Sequence, residues 1–107
     1  MKLVIAIVNR DDSNAVTQNL AKNGFYSTKL ASSGGFLLAG NVTILVGVAE
    51  EKVQAVIDII HEHSHSRKQL IPATTDVGMN YMPAMPVEVT VGGATVFVVD
   101  VDRFERL

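Results

Sequence analysis

Runs of apolar residues along the chain predict a series of strands. Leu3–Val8 is a continuous apolar run rich in β-branched residues, and it is too short for a buried helix, so it predicts a central strand that ends at Asn9 and Arg10. Similar patterns predict four further strands, at Phe25–Ala31, Val42–Val48, Val87–Val91 and Ala94–Val99.

Helical spacing of apolar residues predicts two helices. The first runs from Ser13 to Asn23, because Val16 and Leu20 share a face and Gly24 can end the helix in the left-handed conformation. Its candidate caps are Asp11, Asp12 and Ser13. The second helix is predicted by four apolar residues with a helical period, preceded by Glu50 and Glu51 and followed by Arg67 and Lys68; the four are Val53, Val56, Ile57 and Ile60.

The last part of the chain predicts a long connection and a hairpin. His65–Pro86 has three prolines and little periodicity, which favours a functional or mobile loop. Beyond it, Gly92-Gly93 predicts a two-residue turn that pairs Val87–Val91 with Ala94–Val99.

The order of these elements is β-α-β-β-α-β with an extra C-terminal strand, which predicts an α+β, ferredoxin-like domain spanning residues 1–107. In this fold the helices cover one face of the sheet. We expect the other face to be covered by self-association, since 48% of the residues are apolar.

Composition narrows the possible functions. The chain has no cysteine, which removes thiolate metal sites and thiol nucleophiles, and its net charge of -2 does not favour nucleic acid polymers. Because the N-terminal apolar run is short and lacks a cleavage site, we expect a cytoplasmic protein with no membrane span.

The stretch Ser32–Asn41 (SSGGFLLAGN) has the residue types of a nucleotide-binding loop. Glycines let backbone amides approach an anion, and the Asn41 amide can read the edge of a base. A plain turn explains the same glycines, and no Walker motif is present.

Three longer motifs resemble the PII-like cyclic-di-AMP receptor proteins of Gram-positive bacteria. They are TKLASSGGFLLAGN (28–41), the TILVGV that follows it, and PVEVTVGGATVFVVDVDRF (86–104). The resemblance implies a PII-like, ferredoxin-like homotrimer that binds three cyclic-di-AMP molecules between its subunits. Because the chain has a glycine-rich stretch and a long connection, we expect the ligand to order mobile loops that then engage an effector protein. The resemblance implies no further cofactor. The contacts that it implies in one subunit are Thr28, Gly35, Phe36, Leu37, Asn41 and Gly47, with Phe97 from the neighbouring subunit.

The chain departs from this family at the phosphate side of the implied site. Tyr26 and Leu38 stand where family members usually or often carry arginine, and each lost charge-assisted contact would cost about 1.5–3 kcal/mol of binding free energy. Arg106 stands where the family often has glutamine and could restore a charge. Lys29 is the other nearby cation, and the default expectation for it is simple solvation.

Two alternatives of other classes stay open at this point. His61 and His65 have the i, i+4 spacing of two metal ligands on a helix, although histidines near a helix C-terminus are also favoured by its dipole. A ligand-free interaction module that has lost the messenger is the other alternative. An enzyme is not expected, because the acidic pairs Asp11-Asp12 and Asp100-Asp102 are explained by capping and by a polar strand end.

Overall fold

The computed structural model describes residues 1–30, 40–72 and 86–107. In chain order its elements are β1 (Lys2–Asn9), α1 (Arg10–Lys22), β2 (Thr28–Leu30), β3 (Asn41–Val48), a 3₁₀ turn (Glu50–Lys52), α2 (Val53–Ser64), β4 (Arg67–Pro72), β5 (Pro86–Val91) and β6 (Ala94–Asp100). The chain thus forms the predicted strands and both predicted helices, with one strand more.

The first apolar run lies inside a four-stranded antiparallel sheet of order β2-β3-β1-β6. Both helices are in contact with each other and with this sheet. This strand order, with a helix after β1 and a helix after β3, confirms the ferredoxin-like α+β fold.

One face of the sheet and the apolar faces of the two helices form the core. Strand alternation places every second residue of β1 and β3 on this face, and helical periodicity supplies two residues from each helix. The fully buried members are Val4, Ala6, Val8, Val16, Leu20, Ile44, Val46, Val56 and Ile60.

Helix α1 begins earlier than predicted. Asn9 is the N-cap, because its side-chain oxygen accepts a hydrogen bond from the Asp11 amide at 2.8 Å, so the assignment of the cap to Asp11, Asp12 or Ser13 is wrong. The predicted role of Gly24 at the C-terminal end of α1 is confirmed. Gly24 has φ +82°, and hydrogen bonds from Gly24 to Ala21 and from Phe25 to Leu20 complete a Schellman motif.

Two predictions for the last third of the chain are wrong. Arg67–Pro72 is a strand rather than loop, since it pairs with β5, which no local alternation revealed. The strands on either side of Gly92-Gly93 do not pair with each other. Val91 pairs with Arg67 in the β4-β5 ladder, whereas Ala94 pairs with Val8 at the edge of the main sheet. The two glycines do reverse the direction of the chain, but β6 then pairs with the free edge of β1 rather than with β5.

The β4-β5 ladder is fastened to the main body at the start of α1. Arg67 donates to both carboxylate oxygens of the nearly buried Asp12, at 3.0 and 3.3 Å, and this pairing raises the pKa of Arg67. Gly92 passes close beside this pair. A Cβ there would lie 2.5 Å from an Arg67 nitrogen and 2.7 Å from the His65 carbonyl oxygen.

We expect Gly92→Ala to lower the free energy of unfolding by about 2–5 kcal/mol, because the left-handed backbone and the overpacking add. Gly24→Ala is the matched control, since Gly24 has the same sign of φ but a Cβ added there would meet no atom within 4 Å. It should cost about 1–2 kcal/mol. Urea titration of both variants measures the difference, and equal losses would show that the space at Gly92 is unimportant.

Candidate ligand-binding site

The second face of the sheet is apolar as well. Leu3, Ile5 and Ile7 of β1 point away from the helices, and the register sets Leu45 and Phe97 beside Ile5 on its two sides. On the edge strand β6 the exposure is large, at 53% for Phe97 and 42% for Val99. We call this surface the open face.

A recess lies at one end of the open face, where β2 and β3 meet the C-terminal tail (residues 101–107). Its volume is about 620 Å³, within the range of small-molecule sites. It is lined by Met1, Tyr26, Thr28, Gly47, Phe104, Glu105 and Arg106. A neighbouring cavity of about 350 Å³ shares five of these lining residues, extends against Leu3, Leu45 and Val101 and is mainly apolar, and we treat the two cavities as one recess. The recess thus combines an apolar floor with charged groups at its rim.

Two contacts hold the start of the tail against the end of the sheet. The Val101 amide donates to the Met1 carbonyl at 3.2 Å, and Lys2 forms an ion pair with Asp100. This hydrogen-bonded ion pair lowers the pKa of Asp100 and raises that of Lys2. The tail is therefore anchored at its base, and its later residues reach the recess.

Three of the predicted site residues come together in the recess: Thr28, Gly47 and Arg106. Gly47 leaves room there, because a Cβ would meet only the Met1 sulfur within 4 Å, at 3.8 Å. Glu105 also lines the recess, and its carboxylate forms an exposed ion pair with Arg103 at 2.8 Å.

The remaining predicted residues lie outside the recess. Asn41 is at the far end of β3, six residues from Gly47 and therefore about 20 Å away, in a separate depression beside Gly92 and Gly93. Phe97 is on β6, three strands from Thr28 in the same cross-strand row, or about 14 Å. Gly35, Phe36, Leu37 and Leu38 lie outside the described residues, so their roles stay predictions.

The recess contains residues that the sequence did not single out. Phe104 and Met1 are the main ones, because nothing in the spacing shows that the tail returns across the end of β1. An aromatic residue among the charged residues of DRFER (102–106) was the one available signal. Tyr26 was considered only as the position where family members usually carry arginine. In the structure Tyr26 lines the recess and is 91% exposed.

Two other residue groups lie away from the recess. Lys29 is not merely solvated, since it donates to Asn14 at 2.9 Å and to Ser13 at 3.3 Å on α1. His61 and His65 are exposed at the end of α2, and His65 Nδ1 lies 3.4 Å from the Glu62 carbonyl oxygen. Within the described ranges, no three metal-binding side chains cluster in a way that could hold an ion.

The domain is ferredoxin-like, and its recess has the size of a small-molecule site. The model of the cyclic-di-AMP receptor family matches residues 1–107, so the chain belongs to this family. Membership indicates a nucleotide-binding, signalling role. The chain is also similar to the crystal structure of a functionally unknown protein from Pediococcus pentosaceus ATCC 25745, at 42% identity and a TM-score of 0.75. The match covers 99% of this chain and 96% of that one.

Neither α1 nor α2, the helices of the described ranges, has the length and apolar character needed to cross a bilayer.

We expect the Asp100 carboxyl to titrate below its ordinary pKa, because the charged form is hydrogen-bonded to Lys2. Since the folded pKa is the lower one, the pair contributes its stability above the unfolded pKa, and the contribution is lost as pH falls through the folded value. Carbon-13 NMR of the carboxyl measures the midpoint. Lys2→Met should move it back up, and an unchanged midpoint in that variant would exclude the pairing.

Proposed function

We propose that the protein is a cyclic-di-AMP sensor that holds the messenger in the recess formed by Thr28, Gly47 and Arg106. The observation that carries the proposal is the convergence of these three residues, from β2, β3 and the tail, around one cavity in a chain of this receptor family. The proposal implies binding and signalling without turnover of the ligand.

The recess offers the two chemistries that such a ligand needs. A purine ring gains from an apolar floor, here Leu3, Leu45 and Val101. A phosphodiester gains from a cation and from donors, here the Arg106 guanidinium and the Thr28 hydroxyl. Gly47 supports both, because its missing side chain leaves the space open.

We further propose that each site is shared between two copies of the chain. Phe97, the aromatic residue that the family resemblance assigns to the ligand, lies at the opposite edge of the sheet from Thr28. One chain does not bring them together, whereas a neighbouring chain can place its own Phe97 over the recess. The open face gives such a neighbour an apolar surface to cover, and burying it favours association.

The assembly that we propose is a homotrimer with three equivalent sites. Binding would order segments near the sites, and their changed surface would engage an effector protein in the cytoplasm. Such a switch requires that the ligand bind the ordered state more tightly than the other state.

Calorimetry with cyclic-di-AMP tests the site. Gly47→Leu should weaken binding by at least about tenfold, because the side chain fills the recess. Gly47→Ala is the matched control and should retain binding, while sedimentation checks that both variants assemble as the parent does. A leucine variant that binds as tightly as the parent would place the ligand elsewhere.

The parent protein should also gain about 2.7 kcal/mol of stability at a ligand concentration 100 times the Kd. If the parent binds no cyclic-di-AMP and Tyr26→Arg does, the chain is instead a ligand-free module that lost its messenger. If zinc or copper stabilises the parent, nucleotides do not, and His61→Ala abolishes the effect, the metal-binding alternative replaces the sensor.

Mixing two inactive variants tests whether the site is shared. Gly47→Leu disables the recess, and Phe97→Ala disables the opposite edge. In a co-expressed mixed trimer, one junction pairs an intact recess with an intact Phe97, so one site per mixed trimer should bind again. Calorimetry on mixed trimers purified with two different tags measures the stoichiometry. Mixed trimers without any recovered site would mean that each chain holds its ligand alone.

A further inference from the structure

We propose that Tyr26 and Phe104 act as an aromatic pair that stacks on an adenine ring of the ligand, with Phe104 brought to the base by the C-terminal tail. This inference rests on the proposed function and names residues that determine how the recess recognises its ligand.

The first support is the placement of the two rings. Tyr26 lies just before β2 and Phe104 lies in the tail, yet both line the recess, from its apolar floor to its charged rim. Large aromatic side chains usually bury most of their surface, but Tyr26 is 91% and Phe104 64% exposed. Two exposed rings at one cavity form a surface suited to a planar, apolar ligand group.

The second support is the way in which Phe104 is held. The tail is fastened at Val101 and at Asp100, whereas Phe104 lies beyond these contacts and outside the strands. A residue on such a segment can change its position by small rotations of the backbone after Val101. Phe104 can therefore adjust to a ring lying on Tyr26 without any change in the sheet.

The third support is the charge beside the rings. Arg106 is two residues after Phe104 and lines the same recess, and the ion pairs found among the described residues do not include it. Glu105 would repel a phosphate, but Arg103 pairs with it. Stacking surface and cation thus lie next to each other, as the base and the phosphate of a nucleotide do.

Tyrosine fluorescence gives a direct test, because the chain has two tyrosines and no tryptophan. In a Tyr81→Phe background, Tyr26 is the one tyrosine left and its emission reports on the recess. Addition of cyclic-di-AMP should quench this emission with a midpoint equal to the Kd from calorimetry. Stacking on an aromatic ring contributes enough that Tyr26→Ala or Phe104→Ala should weaken binding roughly 5- to 150-fold.

Two matched variants separate stacking from other causes. Tyr26→Phe keeps the ring and removes the hydroxyl, so its Kd should stay close to that of the parent. Leu107→Ala shortens another exposed apolar side chain of the tail, one that does not line the recess, and should have no effect on Kd. Circular dichroism checks that each variant is folded.

The outcomes distinguish this inference from the proposed function. If calorimetry shows binding by the parent, but Tyr26 is not quenched and both alanine variants bind as the parent does, the aromatic pair is wrong and the sensor stands. If Tyr26→Phe weakens binding as much as Tyr26→Ala, a hydroxyl contact replaces stacking. If no variant and no parent binds cyclic-di-AMP, the proposed function fails and this inference fails with it.

Discussion

The structure depends on a sheet that is apolar on both faces. Alternation in β1 sends Val4, Ala6 and Val8 to the helices and Leu3, Ile5 and Ile7 to the open face. Two short helices can cover one face only, since each supplies a single apolar stripe. The fold is thereby complete on one side and left with an apolar surface on the other, where the candidate site lies.

The candidate site is formed where the C-terminal tail packs against the ends of β2 and β3. Gly47 on β3 has no side chain to fill the space at this end of the sheet. The tail runs from β6 past Met1, and its residues Phe104 and Arg106 form another wall of the recess. The cavity is therefore lined by Met1 near one end of the sequence and by Phe104, Glu105 and Arg106 near the other. A stacking contact with an aromatic ring contributes about 1–3 kcal/mol, similar to the charge-assisted contact that the arginine normally found in place of Tyr26 would make. If Tyr26 stacks on the base as proposed, the recess would bind a nucleotide with fewer cations than the family resemblance implies.

The segments with a regular apolar period could be predicted from the sequence, because the same apolar residues form the core. Local sequence patterns identify the strands Leu3–Val8 and Val42–Val48, the helix α2 and the end of α1 at Gly24. The apolar residues of these patterns are the ones that pack in the core. Arg67–Pro72 could not be found, since its pairing with Pro86–Val91 is set across a long stretch of sequence. The strand β6 was predicted, but its partner was not, because the local turn signal of Gly92-Gly93 favours β5 whereas β6 pairs with the distant β1.

Of the candidate site, Thr28, Gly47 and Arg106 were available from the resemblance, and the structure brings them together. Phe104 and the aromatic character of Tyr26 were not, because only the path of the tail brings Phe104 to the recess that Tyr26 lines. The claim that underlies the whole account is that copies of this chain cover one another's open face and share the ligand. Native mass spectrometry with cyclic-di-AMP tests it most directly. The account predicts an assembly of three 11.5 kDa chains carrying up to three ligands, and a single chain that binds the ligand by itself would contradict it.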